Sequence, residues 1–442
     1  MREPPCGWNV VGLPSSTSSA AAPPAGLARP RYDRIHLTAP PLLLHPENRE
    51  PADTEQGGDS LNLRFRAVTF RAAVVGLGDA GYSLHLPALS ATPGVEIVAM
   101  CDIDAERRAR AAKRWKVASF EQFDDMLAKK APDLVIIGTP PDTHADYCRR
   151  SFAAGAHVIC EKPFVPSLAE ADEVIAAAQT AGRGLALNHE FREMPIFRAV
   201  RDAIADRPNE IVFVQVWQLI DMAPWAEGGW RGQMLQRTLF EAGVHLIDFV
   251  LALFAERPIS VSATTSNGGH AAEGDGAAAG DAVVSVTLEF SRGRLAHVVQ
   301  SRLSKGDRQY FEARVDTGRE SLRASFGGRS RLSAGLFRST RPHLRFEFGS
   351  SGIAWREVGA TRKLLARNPS NPGMRATRDV FERSLRAFRD SVQPLTTGQQ
   401  ARNSLEVIIA CYRSAATGAR VRLDSASLSA LAGVRLGSSL RV

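Results

Sequence analysis

The stretch Ala73-Val-Val-Gly76-Leu-Gly78-Asp79-Ala80-Gly81 restricts what this chain can fold into more than any other. A short apolar run, suited to a buried strand, passes directly into glycines at G-x-G-x-x-G spacing and then into a segment of helical length. Gly76 permits a tight turn, Gly78 lets the backbone approach a pyrophosphate, and Gly81 lets helix and strand pack closely. Asp79 and Ala80 complete the loop. The helix that follows offers free N–H groups and the positive end of its dipole to phosphate. A second apolar strand ends at Cys101-Asp102, twenty-one residues after Gly81. A carboxylate there can accept hydrogen bonds from ribose hydroxyls and repels a 2′-phosphate, which favours NAD over NADP. Arg107 and Arg108 follow closely and keep NADP open.

The alternation continues down the chain. Strands are predicted at 72–75, 96–101, 134–138, 158–160 and 185–187, with helices at 85–91, 105–115, 120–129, 144–154 and 168–181. This spacing predicts an α/β fold whose parallel sheet is covered on both faces, a dinucleotide-binding domain over residues 68–190. After Arg192 the strand-like stretches follow one another directly, at 211–219, 283–290, 295–302 and 310–315, with turns such as Ser291-Arg-Gly293 between them. They predict an antiparallel sheet in a second domain, 191–424. Helices are expected at 377–392 and 400–415, the second stopped by Gly418. The Gly/Ala-rich tract 268–280 reads as a mobile loop. Residues 1–67 hold 10 of the 25 prolines without sustained periodicity, so a disordered extension is expected there. Residues 425–442 form a tail.

At 442 residues and 44% hydrophobic content, the chain can bury two ordinary cores. No apolar run approaches the roughly 18 residues a membrane span needs, and the start has no charged-then-apolar signal pattern. Cys6, Cys101, Cys148, Cys160 and Cys411 are scattered without C-x-x-C pairing, which predicts reduced thiols in the cytoplasm and no metal. The net charge of +8 is dominated by arginine, 48 of the 55 basic residues, which resembles coding bias more than a selected basic face. Residues 301–442 carry 26 basic and 11 acidic residues, net +15, a pointer to an anionic substrate. No nucleic-acid motif accompanies that charge, so neither a nucleic-acid nor a membrane partner is expected.

Two clusters carry candidate chemistry. The strand around Val158–Cys160 ends in Glu161-Lys162-Pro163, residues that strand interiors disfavour. At the carboxyl end of a parallel strand, however, Lys162 can meet the oxygen on the carbon that exchanges hydride. The exit Gly138-Thr139-Pro140-Pro-Asp-Thr-His144 lies at the same edge, where Asp142 or Thr143 can cap the next helix. His144 either touches cofactor or packs the helix start. Farther along, Glu241, His245 and Asp248 recur at i, i+4 and i+7 on an otherwise apolar helix, and three ionisable groups on one stripe need partners. An imidazole is suited to take a proton from an alcohol. A core histidine bonded to Asp248 is the alternative.

With these residues in place, the chain resembles the glucose–fructose oxidoreductase / inositol dehydrogenase (Gfo/Idh/MocA) family. The likeness runs through the glycine turn, Asp102, Thr139-Pro140-x-x-x-His144, Glu161-Lys162-Pro163, Gly243-x-His245-x-x-Asp248 and Leu405–Ser414, and covers roughly Phe70 to Leu423. It implies a Rossmann domain followed by an α/β domain with a large, mostly antiparallel open sheet used in oligomer contacts, as a homodimer or homotetramer. It also implies NAD(P)-dependent oxidation or reduction of a sugar, polyol or sugar derivative, with Lys162 and His245 catalytic and an often-cis Lys162–Pro163 peptide. Glu241 stands where inositol-type members carry Asp, and is expected to join Lys162 and His245 in catalysis by binding a substrate hydroxyl or tuning His245. Asn188, His189 and Arg192, at the exit of the last Rossmann strand, match a position lining the cleft, and Trp217, Trp225 and Trp230 fall in the segment facing the substrate. Two rival readings stay open: a nicotinamide held tightly and used transiently, as in glycosidase, epimerase or sugar–sugar oxidoreductase chemistry, and a regulator that binds nucleotide without turnover.

Overall fold

The computed structural model describes residues 70–223, 229–269, 280–305, 310–327, 331–335, 343–347 and 352–437. The expected extension 1–67, Trp225 and most of the Gly/Ala-rich tract lie outside them.

The first sheet has six parallel strands: β1 (Phe70–Val75), β2 (Val95–Cys101), β3 (Ser119–Phe120), β4 (Leu134–Ile137), β5 (His157–Cys160) and β6 (Leu185–Leu187). Their spatial order is β3-β2-β1-β4-β5-β6, which reverses direction between β1 and β4 and opens a crevice at their carboxyl ends. The strands are near-continuous apolar runs because both faces are covered: Leu134, Val135, Ile136 and Ile137 are all buried. The helix predicted at 120–129 instead begins at Phe123, because Ser119–Phe120 pairs with Met100 and Cys101 as the edge strand. The helix after the glycine loop also starts earlier than predicted, with a π-helical turn over Gly81–His85.

The second sheet is larger. It contains β7 (Ile211–Leu219), β8 (Ser260–Ser266), β9 (Val283–Glu289), β10 (Leu295–Ser301), β11 (Tyr310–Thr317) and β12 (Ser321–Phe326). After a separate two-stranded ribbon, β13 (Arg331–Gly335) with β14 (His343–Glu347), it adds β15 (Ile353–Val358), β16 (Thr361–Arg367) and β17 (Val421–Arg422). The order is β16-β15-β12-β11-β7-β10-β9-β8-β17, antiparallel throughout except for the parallel pair β7–β10. Alternation along β7 buries Val214, Val216 and Gln218 against helices, among them Val244–Phe254.

One apolar cluster runs from Val75 and Val135 through Phe191 and Phe197 to Val214 and Phe311, so the two sheets share a core. The opposite face of the first sheet has a different cover. Val380, Phe381, Leu385 and Phe388 of the late helix Pro372–Arg389 pack on Phe70, Val74 and Ile136. That helix was expected in the second domain; its apolar stripe instead closes the first. The final long helix, Gly398–Thr417, is capped by Thr397 and Gln400 at its start and ends at Gly418, φ +66°.

Candidate active site

A cleft of about 730 Å³ opens at the carboxyl ends of β1, β2, β4 and β5 and is closed on the far side by Trp230, Arg231 and Glu241. Its near end is built by glycine. Gly76 has φ +87°, and a Cβ there would lie 2.6 Å from the Gly138 carbonyl. A Cβ on Gly81 would lie 1.9 Å from the Gly76 oxygen. Neither position can carry a side chain without moving backbone. Around Gly78 the space is open, the nearest atom being Arg107 Nη1 at 3.9 Å. Asp79, Ala80, Thr139 and Pro140 complete the wall.

Asp102 is buried beside this loop. Its Oδ2 accepts from the Leu77 N–H at 2.6 Å and its Oδ1 from the Asp104 N–H at 2.8 Å. The glycine loop thus fixes the carboxylate at the cleft wall, with Arg107 Nη1 3.9 Å away. Asp104, rather than Asp102, caps the helix Ala105–Trp115.

His144 does not line the cleft. Nε2 lies 2.7 Å from the Thr139 carbonyl and Nδ1 lies 2.8 Å from that of Phe164, while burial lowers the pKa. Of its two expected roles, the ring fills packing: it ties the β4 exit to the β5 exit. The helix it belongs to begins after Pro140 with no side-chain cap, so neither Asp142 nor Thr143 serves as one.

Glu161 and Lys162 leave β5 in opposite senses. Glu161 Oε1 lies 2.6 Å from His85 Nε2 and accepts from Asn188 Nδ2 at 2.6 Å. Burial would raise this carboxyl, but His85, Lys162 and Asn188 more than offset it and hold it down at about 2. Lys162 reaches across the cleft, its Nζ donating to the Glu241 carbonyl at 3.3 Å, and the Lys162–Pro163 peptide is cis.

Across the cleft, the predicted stripe is broken. Thr238–Ala242 is a π-helical turn, closed by the Gly243 N–H on the Thr238 carbonyl at 2.9 Å, and the α-helix begins at Val244. Asp281 accepts from the Arg237 and Thr238 N–H groups, and Tyr412 bonds both Asp281 and the Leu239 N–H, which anchors the turn. The wider turn separates residues that an unbroken α-helix would stack. Glu241 faces guanidiniums, accepting from Arg231 Nε at 2.6 Å and Arg237 Nε at 2.7 Å, with Arg302 Nη1 at 3.4 Å. Burial is outweighed by Arg302, Arg237 and Lys162, and Glu241 is held at about 2. Asp248 pairs not with His245 but with Arg192, at 3.1 Å, and His189, at 3.8 Å.

His245 turns elsewhere. It stacks on Phe191, and its Nε2 lies 3.8 Å from Glu190 Oε1. Burial, then the charges of Lys162 and His189, press its pKa well below the ordinary imidazole value. It is neutral at physiological pH.

Asn188, His189 and Arg192, expected to line the cleft, do not. Asn188 braces Glu161, and Arg192 links Asp248 to the Leu395 carbonyl and Gln400. Glu190, between them in sequence, does line it. So do Trp230 and Arg231, the guanidinium lying 4.5 Å over the indole. Trp217 lies on β7, edge-on to Tyr310. Sequence reasoning missed Glu190, Arg231, Arg237, Arg302 and His85. Only Arg237 left a signal, four residues ahead of Glu241 on one helical path.

Comparison with known proteins places these features in a family. Residues 70–189 match the model described as "Oxidoreductase family, NAD-binding Rossmann fold", and residues 197–320 match the "GFO/IDH/MocA C-terminal domain". The chain belongs to the Gfo/Idh/MocA family. Like that family, it is an NAD-binding oxidoreductase. It is 25% identical over 367 residues to a D-apiose dehydrogenase of Paraburkholderia graminis, covering 80% of this chain and 90% of that protein. It is 26% identical over 366 residues to a 1,5-anhydro-D-fructose reductase of Ensifer adhaerens, covering 80% and 99%. Among solved structures, the WlbA dehydrogenase of Bordetella pertussis, in complex with NADH and UDP-GlcNAcA, shares the fold at a TM-score of 0.64 and 20% identity, covering 80% and 98%.

The cradle fits the Gfo/Idh/MocA cofactor. Gly76 and Gly81 leave no room for side chains, Gly78 faces open space, and Asp102 is held at the rim. When bound, NAD supplies the hydride acceptor or donor. Among the described residues, no group of three His, Cys, Asp or Glu side chains is placed to hold a metal, and no helix is long and apolar enough to cross a membrane. Cys101, Cys148, Cys160 and Cys411 are free thiols, all buried.

Proposed function

We propose that this family member is a cytoplasmic dehydrogenase or reductase acting on a CH–OH group of a sugar, polyol or sugar derivative. The observation that carries the reading is the reach of Lys162 from β5 to the Glu241 carbonyl, 3.3 Å away, with its charge felt at His245. A strand end of the first sheet and a helix of the second thereby converge on one cleft. Lys162 binds and polarises the reacting oxygen, and His245, neutral, holds it by a hydrogen bond. Glu241, saturated by guanidiniums and ionised, is no proton carrier; it positions Arg231 and Trp230 at the substrate end. Asp102 at the rim supports NAD as the working cofactor.

The reading is tested by screening sugars, polyols and sugar acids with NAD and NADP separately, following the absorbance of the reduced nicotinamide. Lys162→Ala is expected to lower turnover by about 10²- to 10⁴-fold with NADH affinity retained. Undiminished turnover in that variant removes the assignment. Association into a homodimer or homotetramer through the second sheet accompanies this proposal. Its exposed Val212, Leu295 and Leu364 support it, and light scattering tests it.

A further inference from the structure

Three carboxyls approach the substrate end of the cleft, and two of them are already engaged. Glu161 is held by His85 and Asn188, and Glu241 by three arginines. Glu190 is different. Its side chain is 12% exposed, it lines the cleft, and its Oε2 is buried with no hydrogen-bond partner among the described residues. A carboxyl kept only for structure is normally paired when buried.

We propose that Glu190 is a catalytic acid–base group that meets the reacting hydroxyl together with His245. The inference rests on the oxidoreductase reading and extends it to a residue outside the Lys162–His245 pair. Glu190 Oε1 stands 3.8 Å from His245 Nε2, too far for a direct hydrogen bond. The gap suits one hydroxyl oxygen in contact with both at about 2.8 Å. Glu190 itself lines the cleft.

The groups facing Glu190 set its protonation. Glu161 and Lys162 approach from the β5 exit, and His245 and Asp248 from the helix Val244–Phe254. Burial and then the Glu161 charge push the carboxyl up to about 8, against the opposing pull of Lys162. Below that value Glu190 is a neutral acid; above it, a carboxylate.

In oxidation, the substrate O–H bond breaks and its proton passes to the Glu190 carboxylate. The carbinol C–H bond breaks with its electron pair, hydrogen and pair leaving to the oxidised nicotinamide, and a carbonyl forms. In reduction, the Glu190 acid returns the proton to the oxygen. Oxidation thus needs the carboxylate and reduction the acid, so the two directions are expected to respond to pH with opposite sign.

Glu190→Gln and Glu190→Asp test this, the latter keeping the acid with a shorter reach. Infrared difference spectra of the NADH-bound enzyme between about pH 6 and 10 read the carboxyl directly and need no substrate. The wild type is expected to lose a protonated-carboxyl band that Glu190→Gln lacks; a wild-type carboxyl that stays ionised throughout, or a band unchanged in Glu190→Gln, overturns the proposal. On the sugar or polyol found by screening, Glu190→Gln is expected to lower kcat/KM about 100-fold or more and abolish the limb near pH 8, with NADH affinity unchanged. Glu190→Asp retains the limb at a reduced rate. A Glu190→Gln enzyme with the wild-type rate and limb also overturns the proposal, whereas a wild type that turns over nothing in the screen defeats the sugar reading instead.

Discussion

A single added methyl group tests the cofactor cradle. In Gly76→Ala the new Cβ would meet the Gly138 carbonyl at 2.6 Å, and φ +87° is strained for any L side chain. Fluorescence titration should show NADH affinity weakened at least about tenfold, because backbone must shift under the phosphates. Glu241 makes the opposite kind of prediction, since its removal leaves three guanidiniums around a missing carboxylate. Its folded pKa of about 2 lies below the unfolded value, so its contribution is present above about pH 4.3 and is lost as pH falls through 2. The shift corresponds to about 3 kcal/mol. Glu241→Gln should lose about that much in urea unfolding at pH 7, and its stability should fall less steeply than the wild type's below pH 4. The place of Lys162 in the cleft was legible in the sequence because it follows the carboxyl end of a parallel strand. Glu190 was not: nothing in Asn188-His-Glu-Phe-Arg192 distinguishes the residue that faces the cleft from those that brace it, since the distinction lies in a 3₁₀ turn at 190–193.

At the scale of elements, apolar pattern was informative where both faces of a strand are buried. It failed where they are not. β8, Ser-Val-Ser-Ala-Thr-Thr-Ser, has little apolar content to betray it, yet it pairs with β9 along its whole length. The exposed β16 escaped for the same reason. Periodicity also misled at Glu241, because a 3.6-residue repeat presumes an unbroken α-helix and the chain inserts a π-helical turn just before Val244. The helix Pro372–Arg389 was found by its stripe, but a stripe does not name its partner. Phe388 supplies that partner: it stacks on His157 with ring centroids 4.9 Å apart and lies where a Cβ on Gly184 would clash, at 2.1 Å. Phe388→Ala should cost about 3–5 kcal/mol in urea unfolding. NADH affinity at the opposite edge of the sheet should be retained.

Across the whole molecule, the two sheets are not separate bodies joined by a hinge of exposed chain. Their shared cluster passes through Phe191, next to the cleft-lining Glu190, and through Phe197. The alternating strands and helices made the first sheet legible in order and direction; the size of the second was less so, because its added strands are short or polar. The first sheet also depends on chain that arrives about two hundred residues later. Val74 and Ile136 are covered by Phe381 and Leu385, so an isolated fragment spanning residues 70–190 would present an apolar face to water. Such a fragment should bind a hydrophobic dye that the full chain does not bind. During synthesis the ribosome releases the nucleotide-binding strands first, yet their outer covering emerges only when Phe388 does. The interval between is one in which a chaperone, or a second nascent copy, competes for a surface that the finished enzyme hides.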